Sequence, residues 1–305
     1  MSYRPWAAFS CSAKAARVIT FFFLAVLLLW GVDQLYQKKT RFGLMSKFSS
    51  TSFAFTEEGK LPLPTPLEQQ ILSQKFTYLA RGSQAEAFVS EDGLYVLKLF
   101  KQHKWRPSHL WGYIPLPWNP YYQETLRRRL KQRAVLESCR AALLHSKEDT
   151  GVCFAHLNPT SLEISSTTLV DKRGNLWQLD LKQCCFLLQR KAELFYPHIQ
   201  RLMDQGEVGQ AEDAITSTFK LLKKFITAGV YENNAILKKN FGFLDNEAMQ
   251  FDIGKFKFDA TRKPDMHDLV VITEGFHRWL QKNHSLLLPH FEKQLTLFTS
   301  QNAQK

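Results

Sequence analysis

The most constraining feature of this chain is a run of fifteen uncharged residues, Val18 to Val32 (VITFFFLAVLLLWGV), held between Arg17 and Asp33. So apolar a segment must be covered by protein or by lipid. As an α-helix rising ~1.5 Å per residue it reaches roughly 22 Å, short of a ~30 Å hydrocarbon core. Continuing through Tyr36, with Arg17 and Lys38 stretching their charged ends towards headgroups, brings it to about twenty residues. That length also suits the core of a signal peptide, yet no small-x-small cleavage site follows; the chain reads WGVDQLYQKK. We read an uncleaved, single-pass signal anchor, with residues 18–36 meeting the membrane and residues 1–41 forming an anchor with basic flanks. A cleaved signal peptide and a buried soluble helix are the alternatives. Both flanks are basic, so the positive-inside rule sets no orientation.

The charge follows from this placement. The 305 residues carry a net +12, and residues 1–41 hold six basic side chains against the single acid Asp33, so five of those charges flank the apolar run. Hydrophobic residues at 45% and charged residues at 22% exclude wholesale disorder, and one apolar run excludes a polytopic membrane protein. The cluster Arg127, Arg128, Arg129, Lys131 and Arg133 invites a nucleic-acid reading, but no stacking motif accompanies it and a solvated helix face explains it. Nucleic acid is therefore not an expected partner. Cys11, Cys139, Cys153, Cys184 and Cys185 have no metal spacing and leave one unpaired in any disulfide scheme, which favours free thiols in a reducing compartment. The nine histidines show no ligand spacing either, and Asp265 with His267 reads as a helix start.

Residues 42–74, with SSTSF and LPLPTP, have linker composition. From Lys75, FTYLARG, AEAFVS and YVLKLF read as three short strands, the last two joined at Glu91-Asp92-Gly93. Residues 101–122 hold Trp105, Trp111, Trp118, Tyr113, Tyr121 and Tyr122 among four prolines, so they form no helix. We expect a surface loop there, available to a protein partner or a membrane interface, or simply packed. Asn119-Pro120 starts a long helix over 121–144. Leu126, Leu130, Ala134, Glu137, Ala141 and Leu144 fall within roughly an 80° arc of it, which places a carboxylate on the apolar stripe. Such a carboxylate needs a cation from another element, unless Glu137 leans out to solvent. TTLV and LWQL read as a hairpin turned at KRGN, and a helix over 211–228 is stopped by Gly229. NFGFL and AMQF flank a turn at Asp245-Asn246-Glu247, followed by Asp252-Ile253-Gly254, and two helices near 267–281 and 287–299 close the chain.

This order of elements is similar to the protein-kinase-like superfamily, over roughly residues 76–280. In the glycine-rich-loop pattern G-x-G-x-x-G-x-V, Gly82 and Val89 match, while Gln84 and Ala87 replace two glycines and Glu86 adds negative charge. Lys98 in YVLKLF resembles the phosphate-contacting strand lysine, and the resemblance makes Glu137 its helix partner. Asp252-Ile253-Gly254 stands where the family has D-F-G, and Asn240 lies twelve residues earlier, so Asp252 and Asn240 become the implied Mg²⁺ ligands.

The resemblance implies an α+β fold: an N-terminal transmembrane helix and a two-lobed kinase-like domain with a small C-lobe. Residues 75–195 would hold the N-lobe-like sheet and long helix, and residues 196–300 the helical C-lobe-like region. It implies ATP and Mg²⁺ as cofactors and Gly82, Lys98 and Glu137 as nucleotide-binding residues. The catalytic-loop aspartate is missing: Ala235 occupies its place, with Glu232, Asn233 and Asn234 the nearest polar residues and Glu232 the candidate base. Only 53 residues follow Asp252, without an A-P-E motif. The expectation is a membrane-anchored, kinase-like protein with impaired catalysis, a pseudokinase acting as a nucleotide-binding or interaction module. An active divergent phosphotransferase and a non-kinase membrane-tethered interaction protein are the alternatives. ATP use and free thiols place the domain on the cytoplasmic side.

Overall fold

Helix α1 (Ala13–Arg41) carries the apolar run on 29 residues, within which Ala16–Tyr36 is 21 residues long. That stretch reaches ~32 Å at 1.5 Å per residue, enough to cross a bilayer. Its large apolar side chains are exposed, Phe21 by 76% and Leu28 by 69%. The computed structural model describes residues 13–41, 47–49, 61–158, 164, 166–232 and 235–300. Cys11, Asn233, Asn234 and residues 42–46 and 50–60 of the expected linker lie outside these.

After α1 come α2 (Pro66–Leu72), β1 (Lys75–Arg81), β2 (Ala85–Ser90), β3 (Tyr95–Phe100) and α3 (Pro120–His145). Strands β4 (Val152–His156), β5 (Thr167–Val170), β6 (Leu176–Leu179), β7 (Phe186–Arg190) and β8 (Glu193–Leu194) follow, then helices α4 (Phe195–Asp204) and α5 (Val208–Thr227). The chain continues through β9 (Val230–Tyr231), a single helical turn at Leu237–Asn240, β10 (Phe241–Leu244), β11 (Glu247–Gln250) and β12 (Lys257–Phe258). Helices α6 (His267–Asn283) and α7 (Leu288–Ser300) close it.

Seven strands form one mixed sheet in the order β4-β7-β3-β2-β1-β5-β6, in which the pairing of β1 with β5 is parallel and the others antiparallel. Two smaller sheets, β11-β10-β8 and β12-β9, lie in the second half. The turn between β10 and β11 places Asp245 at φ 51° and Asn246 at φ 65°. These two residue types tolerate the left-handed conformation that a two-residue hairpin turn requires.

Alternation along β3 and β7 separates two cores. Leu97, Leu99, Phe186 and Leu188 join Phe76, Phe88, Ile71 of α2 and Phe48 on one face of the sheet. Phe100 and Leu187 face the other way, into a core that takes in Val135, Leu136, Cys139 and Ala142 of α3 and continues through Phe195, Phe219, Phe276 and Phe291. That core draws residues from both sides of position 195. The expected linker 42–74 is also partly folded. Phe48 is fully buried, Ser49 bridges to Cys184, and Thr65 caps α2 reciprocally with Glu68.

Helix α3 runs where expected, with Asn119 capping Tyr121 N–H, but it is rotated from the expected stripe. Leu130 is 68% exposed and Leu144 50%. The buried side instead carries Gln132, Val135, Leu136, Ser138, Cys139, Ala142 and Leu143. The segment 101–119 is no regular helix, only two short turns at Gln102–Lys104 and Leu110–Tyr113, while residues 120–122 already belong to α3.

Candidate functional site

Lys98 lies near the middle of β3 and points to the α3 side of the sheet, opposite Leu97 and Leu99. Its Nζ donates to the Phe251 carbonyl at 2.6 Å and sits over the Phe251 ring, 5.6 Å from the centroid. Gln189 of β7 donates to the same carbonyl at 3.1 Å. Burial lowers the Lys98 pKa, and the opposing attraction comes from Asp252, then Cys139. The segment after β11 is thus fastened to the sheet by its backbone, with the exposed Asp252 carboxylate supplying the counter-charge.

The same segment is held on its other sides. Phe251 and Asp252 N–H groups both donate to the Asn240 carbonyl, at 2.8 and 3.2 Å. Ser138 of α3 donates its hydroxyl to the Ile253 carbonyl. Gln250 Nε2 donates to Glu232 Oε2 at 2.6 Å and to the Asp252 carbonyl at 3.2 Å. Asn240 Nδ2 reaches Glu232 Oε1 at 3.4 Å, while Asn240 Oδ1 accepts from Ile236 N–H at 3.1 Å. Lys98, Asn240, Asp252 and Glu232 therefore converge on one stretch of chain.

The Glu232 carboxyl is displaced well above its ordinary range. Burial pushes its carboxyl up to about 7, the Asp252 charge pushes in the same direction, and Lys255 and the Gln250 hydrogen bond act against both. A carboxyl that titrates near neutrality suits proton transfer. A cavity of about 430 Å³ opens beside it, lined by Glu232, Gln250, Tyr231, Arg262 and apolar side chains including Phe225 and Ile272. Lys98, Asp252 and Gly82 do not line it. Arg262 is engaged at its edge, 2.6 Å from Asp268 and 4.1 Å above the Tyr231 ring.

Glu137, the expected partner of Lys98, is elsewhere. It is exposed and pairs with Arg133 at 2.8 Å, one helical turn away. Cys139 occupies the α3 position near Lys98 and Asp252, and burial pushes its thiol up to about 12, so it is neutral. Residues two positions apart on a helix are ~200° apart around its axis, so a helix that turns Cys139 inward turns Glu137 outward. The alternative of a solvent-leaning Glu137 is the one realised.

Gly82 sits at the β1–β2 turn, where its N–H donates to the Ala85 carbonyl at 2.9 Å. Lys101 donates to the Gly82 carbonyl and Lys104 to that of Ser83. The Glu86 carboxylate lies 2.6 Å from Lys47 and 3.8 Å from both Arg81 and Lys101. Its charge is thereby taken up by cations of this chain. Burial brings Lys101 down to about 8, with Glu86 pulling the other way.

The fit to ATP and Mg²⁺ is partial. Asp252 presents an exposed carboxylate whose Oδ1 accepts a long 3.4 Å bond from Gly254 N–H. Asn240, the other expected ligand, has its side-chain oxygen engaged by Ile236 and its amide turned to Glu232. Among the described residues no group of three or more His, Cys, Asp or Glu is placed to hold a metal. The turn lysines are directed at backbone carbonyls and Glu86 rather than at an open phosphate site. Sequence reasoning missed Gln250, Gln189, Ser138 and Cys139, because a lone glutamine, serine or buried thiol carries no motif. Their position within three residues of a motif or on an adjacent strand was the available signal.

No family model matches the chain. No curated protein matches it. Among solved structures it is similar to the bifunctional kinase-methyltransferase WbdD, with 15% identity and a TM-score of 0.33 over 69% of this chain and 42% of that one. It is also similar to Rv3197 from Mycobacterium tuberculosis, solved in complex with erythromycin, with 15% identity and a TM-score of 0.30 over 74% and 56% of the two chains. The chain thus spans less than half the length of WbdD and just over half that of Rv3197. Likenesses this distant do not define a two-lobed arrangement.

Proposed function

We propose that this chain is a single-pass, membrane-anchored protein whose folded part is a degenerate kinase-like domain, serving as a nucleotide-responsive or structural binding module rather than an efficient phosphotransferase. The observation that carries this reading is the state of Lys98. The cation that would hold nucleotide phosphates is already bonded to the Phe251 carbonyl and faces Asp252, and a neutral thiol, Cys139, stands in place of a helix carboxylate. Support for the anchor comes from the uncovered apolar side chains of α1, which leave lipid as the fitting cover. The free cysteines Cys139, Cys153, Cys184 and Cys185 fit a reducing compartment and hence a cytosolic domain.

One observation favours the second reading, an active divergent phosphotransferase: Glu232 titrates near 7 and can accept a proton from a hydroxyl at neutral pH. Thermal unfolding of the detergent-solubilised full chain with millimolar ATP and Mg²⁺ tests both. A ligand at ten times its Kd stabilises by about 1.4 kcal/mol, or roughly 3–6 °C for a domain of this size. A rise that disappears in Asp252→Ala and Lys98→Ala supports nucleotide binding at this site. Phosphate release that disappears in Glu232→Gln, with the rise retained, establishes the enzyme. No rise at all removes nucleotide from the reading and leaves a tethered interaction module.

A further inference from the structure

Asp33 is 5% exposed, although it lies on a helix whose neighbouring side chains are open. What covers it is the aromatic loop. Asp33 Oδ1 accepts from Leu110 N–H at 2.8 Å, and Oδ2 lies 2.8 Å from His109 Nδ1. One helical turn on, the Tyr36 hydroxyl donates to the Pro107 carbonyl at 3.3 Å and is 3.1 Å from the Tyr113 hydroxyl, the two rings meeting edge to face. Asp33 and Tyr36 lie in the last turn of the 21-residue apolar stretch, so these bonds form where a spanning helix leaves the hydrocarbon. A carboxylate at that depth is costly alone, and the loop supplies its hydrogen bonds.

The loop is also shaped for such a place. Its backbone groups are used internally: Gly112 N–H donates to His109, Ile114 N–H to Trp111, and Asn119 Nδ2 to the carbonyls of both Trp111 and Ile114. A side chain at Gly112 would collide with Thr125 Oγ1 at 2.6 Å and Pro107 Cβ at 2.8 Å, so the loop is seated against α3. Its large side chains nevertheless face outward, with Trp118 78%, Tyr113 52%, Tyr121 42%, Trp111 39% and Leu116 39% exposed. Tryptophan and tyrosine with apolar neighbours favour the membrane–water boundary. The helix that begins as the loop ends exposes Arg127, Arg129, Lys131 and Arg133, which suit anionic headgroups.

We propose that residues 106–121 form a second membrane contact, lying in the headgroup layer beside the end of α1, and that the Asp33–His109–Leu110 and Tyr36–Pro107–Tyr113 contacts fix how the folded part sits on the bilayer. This inference rests on the reading of α1 as a membrane span. Continuity with the end of that span and the basic flank select lipid over a protein partner as the occupant.

The test uses the full chain in nanodiscs of phosphatidylcholine and phosphatidylglycerol. An environment-sensitive fluorophore is attached at Leu116→Cys, with Arg173→Cys on the exposed β5–β6 turn as control and the unsubstituted chain as labelling blank. The probe at 116 should emit blue-shifted and be quenched by lipid spin-labelled near the headgroup, whereas the probe at 173 should do neither. Asp33→Ala should abolish quenching at 116 while α1 stays in the carbonate-washed membrane pellet. Trp111→Ser with Trp118→Ser should weaken quenching without lowering the melting temperature. A water-exposed, unquenched probe at 116 in a chain retained by the pellet overturns the loop contact alone, as does a probe shielded from soluble quenchers by a bound protein yet unaffected by spin-labelled lipid. Release of the chain by carbonate overturns the membrane span and the proposal with it.

Discussion

Glu232 connects the electrostatics of the candidate site to the stability of the whole chain. Its carboxyl is raised in the folded state from an ordinary 4.5 to about 7, first by burial and then by Asp252. A carboxyl displaced upward contributes stability that is fully present below about pH 4.5 and is lost as pH rises through 7, because ionising it inside the fold is harder than in the unfolded chain. If the whole displacement were felt, stability would fall by about 3 kcal/mol across that window. Glu232 is only half-buried and water screens it, so about 1–2 kcal/mol is the expected loss. Glu232→Gln keeps one acceptor for Gln250 and removes the repulsion from Asp252. The variant should therefore match the parent near pH 4.5 and exceed it by about 1 kcal/mol at pH 8, roughly 2–4 °C in melting temperature. Thermal unfolding of both full chains in one detergent over pH 4.5–8 measures the difference, in which contributions from the histidines cancel. Identical pH dependence of the two curves would refute the argument that Glu232 is held in a desolvated, repelled state.

Glu137→Ala should change stability by less than about 0.5 kcal/mol, because an exposed pair one turn apart with Arg133 contributes little. A loss of about 3 kcal/mol or more in equilibrium unfolding would instead indicate a buried pair with Lys98. Gly229 ends α5 at φ +73°, and a Cβ there would lie 2.0 Å from the Asp259 carbonyl oxygen. Gly229→Ala should therefore lower stability by at least about 2 kcal/mol, read as a fall in melting temperature, since neither the left-handed backbone nor the contact with backbone can relax cheaply.

Local chemistry made much of the fold legible. Three strands from Lys75 onward, the Asn119-Pro120 helix start, the Gly229 stop and the Asp245-Asn246 hairpin each follow from dihedral preferences that act over a few residues. The rotation of α3 did not follow from them, because leucines occur on both of its sides. Its buried face is polar where partners exist. Thr125 bonds to the Tyr121 carbonyl, Gln132 lies 3.4 Å from Gln102, and Ser138 reaches Ile253. Those partners stand on the helix's own preceding turn, on the segment after β3 and on the segment after β11. The last two are 30 and 115 residues distant in sequence, so no periodicity could reveal them.

The same division applies to the candidate site. Lys98, Asn240, Asp252 and Glu232 were legible as candidates, since the order of strand lysine, asparagine and Asp-Ile-Gly is a linear pattern. Their joining through Gln250, the Phe251 carbonyl and the Asn240 carbonyl was decided by packing, as was the exclusion of Glu137. At the other end of the chain, the sequence by itself determined that residues 18–36 need an apolar cover, because hydrophobicity is a property of composition and length. That the end of this helix is bound to the aromatic loop through Asp33 and Tyr36 was decided only in three dimensions. A buried carboxylate and a strand of backbone more than seventy residues away become partners only once the rest of the fold has brought them within hydrogen-bonding distance.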